Sequence, residues 1–234
     1  MKYNVKYSLV VGLAALFGTF QVGADANADD GFDGASLNGI YVAGSVGIAL
    51  LDNVDYDSGP TVGLGIPITG DADFDAGARL SGAVGMQLSR NLRGELEVAW
   101  RRNSGDRVTG KTGLVATGPL NGSVAIVTAM AQLAYDFEVG SFLRPYVSGG
   151  VGFAYVDIDN LSTPVVTGVL DDSDTVFAGQ LGAGVSVPLT ASTDLTAGYQ
   201  LLISDRPNFT TSLGVAIEGE PFIHSIAIGI RTRL

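Results

Sequence analysis

The sequence predicts an all-β fold, an eight-stranded antiparallel transmembrane up-and-down β-barrel, and three observations carry that prediction. Eight separate stretches alternate apolar residues with small or charged ones, the period of a strand whose two faces meet different surroundings. Short and long connections alternate between them. The charged residues sit opposite the apolar face, the reverse of a soluble ligand-binding calyx. With 234 residues, 33 glycines, no cysteine and 16% charged residues, the chain suits one closed domain without disulfides or thiolate metal sites. Past the N-terminal region, no apolar run reaches the roughly 18 residues of a spanning helix.

The N-terminus reads as an address. Lys2 and Lys6 precede the apolar run Ser8 to Phe20, followed by the small-residue sequences Val22-Gly23-Ala24 and Ala24-Asp25-Ala26. This is the pattern of a secretory signal peptide over residues 1–26. Its removal takes away Lys2, Lys6 and Asp25, leaving 11 basic and 23 acidic residues and a formal charge of −12. Such acidity argues against nucleic acid as a partner. Residues 27–38 form a short polar lead-in, and 39–234 the barrel.

The first strand, Ile40 to Leu51, turns Ile40, Val42, Val46, Ile48 and Leu50 one way and Tyr41, Ala43, Ser45, Gly47 and Ala49 the other. Asp75 to Leu88 opposes Leu80, Val84 and Met86 to Arg79, Ser81 and Ala83. Arg93 to Arg102 opposes Leu96, Val98 and Trp100 to Glu95, Glu97 and Arg101. Val124 to Phe137 presents Val127, Leu133 and Tyr135, and Arg144 to Val156 presents Val147, Val151, Phe153 and Tyr155. Thr175 to Val187 presents Phe177, Leu181 and Val185, and Thr193 to Ile203 presents Leu195, Tyr199 and Leu201. Phe222 to Leu234 closes the series with Ile226, Ile228 and Ile230 against Ser225, Ala227, Gly229 and Arg231.

Three connections are tight, whereas 52–74, 103–123, 157–174 and 204–221 are long. An even strand count with short turns on one side and long loops on the other predicts periplasmic turns, extracellular loops and both termini in the periplasm. Trp100, Phe153, Tyr155, Phe177 and Phe222 fall at loop-side strand ends, and Tyr135 and Phe137 at a turn-side end, which predicts two interfacial girdles.

On Asp75 to Arg102 (DAGARLSGAVGMQLSRNLRGELEVAWRR), Arg144 to Tyr155 (RPYVSGGVGFAY), Phe177 to Val187 and the closing strand, the chain resembles the small eight-stranded outer-membrane barrels of the opacity-protein and surface-antigen type, akin to the transmembrane domain of outer membrane protein A. The resemblance implies a Gram-negative outer membrane, a surrounding of membrane lipid and lipopolysaccharide, insertion by the barrel-assembly machinery, and an envelope-structural and surface-loop role without catalysis or cofactor. It also implies that the closing strand, at Ile226, Ile228, Ile230, Thr232 and Leu234, carries the assembly signal. The family's usual terminal Phe is Leu234 here, and an aromatic common two residues earlier is Thr232, so weaker insertion is expected. Anchoring to the cell wall is not implied.

The inward face predicts a lumen polar network of Arg79, Arg93, Arg101, Arg231 and Arg233 with Glu95, Glu97, Asp136 and Asp194. In so narrow a barrel this reads as a paired polar core. Two alternatives stay open: a small or gated channel whose arginines select anions, and a lipid-modifying enzyme built on His224, the single histidine. Ser225 cannot serve His224, because adjacent strand residues face opposite sides, and no acid partner is indicated.

Gly105 to Thr112 (GDRVTGKT) matches the spacing of a phosphate-binding P-loop, but the stretch that follows, with Gly113, Gly118 and Pro119, is a poor helix; it reads as a basic loop. The first and third long connections are acidic. They hold Asp52, Asp55, Asp57, Asp71 and Asp73, and Asp157, Asp159, Asp171, Asp172 and Asp174, with no basic residue. Asp71, Asp73 and Asp75 mimic the start of a calcium loop, but Ala76 and Gly82 stand where Gly and Glu are needed, so no metal site is assigned. Arg107 and Lys111 make the second connection basic, which predicts opposite-charge contacts between loops.

Overall fold

The computed structural model describes residues 39–52, 54–60, 67–110, 117–139, 142–163, 166–205, 209–210, 216–217 and 222–234. The expected signal peptide and lead-in, with Lys111 and Thr112, lie outside them.

Eight antiparallel strands close on themselves: β1 (Ile40–Leu51), β2 (Gly77–Gln87), β3 (Leu92–Gly110), β4 (Asn121–Asp136), β5 (Arg144–Thr163), β6 (Val166–Pro188), β7 (Thr193–Ser204) and β8 (Phe222–Arg233). Each pairs with its sequence neighbours, and β8 pairs with β1 to complete the ring. The register is staggered. Stepping straight across the ladders from Tyr41 meets Gly85, Glu95, Gln132, Gly150, Gln180, Leu202 and Ile223, and returns to β1 at Leu51. The path has climbed ten residues, from 41 to 51. Such a shear tilts the strands by roughly 40° and leaves an interior that side chains fill. Being even, it keeps one face inward all round the ring.

The outer surface is apolar. Val46, Ile48, Val84, Leu96, Leu133, Val151, Leu181, Ile226, Ile228 and Ile230 are all exposed on it, a band that water would penalise and hydrocarbon accommodates. Aromatic pairs mark its two margins. Tyr135 and Phe137 meet edge to face at 5.1 Å on the tight-turn side, and Phe153 and Phe177 at 6.0 Å on the long-loop side.

The long connections differ from the sequence reading, which ended the strands near the belt. β3, β5 and β6 continue to 110, 163 and 166, so the stretch 157–174, expected as a loop, is almost wholly a hairpin. The first connection holds strands Val54–Pro60 and Pro67–Phe74, the second of which pairs with the upper part of β3. The GDRVTG stretch therefore lies in a strand, where a phosphate-cradling loop would have to turn. Asp71 and Asp73 sit on a ladder opposite Thr109 and Arg107, not around a turn. The extensions carry no sustained apolar alternation, and what holds them together is the backbone ladder. The result is a wall that stands 19 to 23 residues long at β3, β5 and β6 but 11 to 12 at β1, β2, β7 and β8.

Candidate functional site

The lumen is layered. On the turn side, Arg93 bridges two carboxylates: Nε donates to Asp136 Oδ2 at 2.9 Å and Nη1 to Glu95. The Tyr41 hydroxyl donates to the same Glu95 carboxylate at 2.6 Å, and the Tyr146 ring faces the guanidinium of Arg93 at 5.0 Å. Beside them Arg231 holds Asp194 at 2.9 Å through Nη2 and lies 5.6 Å over the Tyr41 ring.

In the next layer, Arg79 donates to Glu97 Oε2 at 2.9 Å, to Ser45 Oγ at 2.7 Å and to Ser81 Oγ at 3.1 Å. Gln180 donates to Glu97 Oε1 at 3.0 Å. Arg101, only 1% exposed, stands at the head of this layer, where it donates to Thr128 Oγ1 at 3.0 Å, Gln180 Oε1 at 3.1 Å and Ser225 Oγ at 3.5 Å. These contacts supply acceptors for charges that would be costly to bury alone.

Eight of the nine sequence-predicted network residues thus lie together: Arg79, Arg93, Arg101 and Arg231 with Glu95, Glu97, Asp136 and Asp194. The ninth does not. Arg233 is exposed at the turn-side rim, where Nη2 donates to the Ala191 carbonyl at 3.0 Å. Moving it to the rim leaves four cations facing four carboxylates inside. Among the closing-strand residues, Ile226, Ile228, Ile230 and Leu234 face outward, and Thr232 Oγ1 lies 3.4 Å from Thr193 Oγ1.

Small inward residues, among them Ala43, Ala83, Ala134, Gly198 and Ala227, leave a polar cavity of about 80 Å³ between the charged layers, room for several waters. On the loop side the interior becomes a dry apolar cluster of Ala49, Leu51, Val124, Ile126, Met130, Ala154, Val156, Ile158, Val176, Ala178, Leu202 and Ile223, with Phe74 packed against it. Sequence reasoning missed this seal. In β4, β5 and β6 its members alternate with apolar outward residues such as Val127, Tyr155 and Phe177, so both faces are greasy and alternation carries no signal there.

His224 and Ser225 face opposite ways as expected, Ser225 inward to Arg101. An acid partner does exist: Asp52 Oδ2 lies 3.2 Å from His224 Nε2, on the outer face. Only the β1–β8 register brings them together.

Known proteins share this architecture. Outer membrane protein PagN of Salmonella typhimurium is 33% identical over 82 residues, which cover 34% of each protein; the chain thus spans about a third of the length of the curated relative it matches. The crystal structure of OprG from Pseudomonas aeruginosa superposes with a TM-score of 0.54 at 17% identity, covering 84% of this chain and 97% of that one. Neisserial surface protein A superposes at 0.50 and 18% identity, covering 86% of this chain and all of the other. These structures share the fold. The sequence model of the outer membrane protein beta-barrel domain matches residues 12–218, most of the chain. With that match laid on a closed eight-stranded ring and its apolar belt, the chain belongs to the outer membrane protein beta-barrel domain family.

Proposed function

We propose that this outer-membrane barrel is a non-enzymatic scaffold with a closed lumen, whose long-loop end faces the cell exterior and serves as a surface for adhesion or antigen-type contact. The apolar cluster across the loop end of the lumen carries this reading. Apolar side chains from β1, β4, β5, β6, β7 and β8 pack together on the loop side of the lumen beyond the charged layers, while the wall above them continues as long hairpins. A barrel closed inside and extended at one end is built to hold that end up.

Both termini are then periplasmic, with export directed by residues 1–26 and insertion by the barrel-assembly machinery. The belt is bathed in membrane lipid and the loop-side aromatics meet lipopolysaccharide. The second reading, a small channel, is favoured by the polar cavity, but it requires the apolar cluster to move.

The test joins two measurements. Wild-type protein in planar bilayers is expected to show no steady conductance, and conductance that responds to Arg79→Gln or Arg101→Gln would replace the scaffold reading with the channel. Cells carrying a barrel shortened between residues 159 and 171 should keep full outer-membrane levels and lose adherence to protein-coated surfaces. Adherence unchanged by shortening each of the four long connections would sink the surface role.

A further inference from the structure

The seam where β8 meets β1 and β7 carries, on its outer face, three polar side chains in a row. His224 stands opposite Leu50 of β1 and Leu201 of β7. Its Nε2 lies 3.2 Å from Asp52 Oδ2, and its Nδ1 lies 2.5 Å from the Tyr199 hydroxyl. The Tyr199 ring rests against the imidazole, centroids 5.9 Å apart and planes tilted by 34°. Asp52 is placed by its own backbone, whose N–H donates to the Phe222 carbonyl at 3.0 Å. All three side chains retain access from outside. Around them the outward neighbours are apolar: Leu50, Ile203, Phe222 and Ile226. A carboxylate and an imidazole thus face each other at the margin of the apolar belt, both open to the outside.

We propose that Asp52 and His224 form a two-residue chelate for a zinc-class divalent transition-metal ion, with Tyr199 as the positioning residue. Two ligand atoms each about 2.0–2.1 Å from one ion lie roughly 2.8–3.0 Å apart across a square angle and roughly 3.3–3.4 Å apart across a tetrahedral one. The observed 3.2 Å between Nε2 and Oδ2 falls between the two before any side chain moves. Imidazole with carboxylate favours zinc, copper or nickel over magnesium and calcium, which prefer oxygen alone. The second ring nitrogen is already engaged by a hydroxyl, the outer contact that sets ring orientation and tautomer in metal-bound histidines.

The proton count closes as well. In the tautomer whose proton is on Nε2, Nε2–H donates to Asp52 and the Tyr199 hydroxyl donates to Nδ1. With metal, the Nε2 lone pair goes to the ion, the single imidazole proton resides on Nδ1, and the Tyr199 hydroxyl rotates to accept it. Among the described residues no group of three or more His, Cys, Asp or Glu side chains is placed to hold a metal ion. The remaining coordination positions point outward and take water.

The experiment is a calorimetric titration of Zn²⁺ into tag-free, folded mature protein in non-ionic, phosphate-free micelles. One saturable ion per barrel is expected. Asp52→Asn and His224→Ala should each weaken binding at least tenfold, and Tyr199→Phe, which keeps both ligands but removes the Nδ1 partner, by roughly tenfold. Heat-dependent gel mobility checks that each variant is folded, and the near-isosteric Asp52→Asn keeps the test decisive should His224→Ala assemble poorly. Absence of binding in the wild type, or equal binding in Asp52→Asn, overturns the proposal and leaves Asp52 and His224 as a hydrogen bond across the seam.

Discussion

Arg101 donates to Gln180 Oε1 at 3.1 Å while Gln180 donates from Nε2 to Glu97 at 3.0 Å, so one buried amide couples a guanidinium to a carboxylate. Gln180→Leu removes an acceptor from one charge and a donor from the other. It should cost about 2–4 kcal/mol in urea unfolding from lipid vesicles. Arg101→Met takes the donor away from Gln180 Oε1 and Thr128 Oγ1 and leaves the buried carboxylates with one cation fewer, so it should also destabilise, by about 2–4 kcal/mol.

Exposure in this molecule has the opposite meaning from exposure in a soluble one. Ile228 is 61% exposed, yet Ile228→Arg should cost about 2–4 kcal/mol in vesicles, since the position faces hydrocarbon. Ser173→Arg, exposed above the belt, should stay within about 0.5 kcal/mol. Equal effects at the two sites would contradict the membrane placement of the belt.

The phenol end of Tyr41 passes over Gly85, where an added Cβ would overlap it. Gly85→Ala should cost about 1–3 kcal/mol through displacement of that ring. The same measurement in a Tyr41→Ala background should show most of this cost gone, because the obstacle has been removed.

Ile126 is buried in the apolar seal. Ile126→Ala should cost about 2–4 kcal/mol as a cavity mutation while the bilayer stays electrically silent. Replacing Ile126, Val156 and Ile223 together by serine wets the seal, and single-channel steps in planar bilayers are expected only then, in protein whose heat-dependent mobility shows it folded.

Leu234 caps β8, its N–H bonded to the Ile40 carbonyl at 3.0 Å and its side chain exposed. Leu234→Phe should raise the folded fraction in outer-membrane preparations, read from the ratio of the two gel bands. An unchanged or lower fraction would remove the terminal residue from the assembly argument.

Much of the candidate site was legible because alternation is local. Arg79, Glu97, Arg101 and Arg231 could be assigned to the inner face from neighbouring residues alone, with no knowledge of what they would meet. Arg233 shares that parity yet lies at the rim, since parity says which face a side chain takes and nothing about its height in the barrel. Where both faces are apolar, as at Val124 to Val127 and Phe153 to Val156, the period vanishes and the inner seal could not be read. The strand extensions were hidden because they are rich in Gly, Asp, Ser and Thr, and single buried residues such as Val108 and Ile158 make too short a pattern to read.

By itself the sequence determined the number of strands in the ring, the face each residue takes, and the apolar belt, all consequences of a two-residue period acting within single segments. Only the tertiary structure decided the register: the ten-residue climb from Tyr41 to Leu51, and with it which layers stack. Register is a relation between segments far apart in the chain, fixed by closure of the ring. It alone sets Asp52 beside His224, 172 positions away, and the apolar cluster above Arg101.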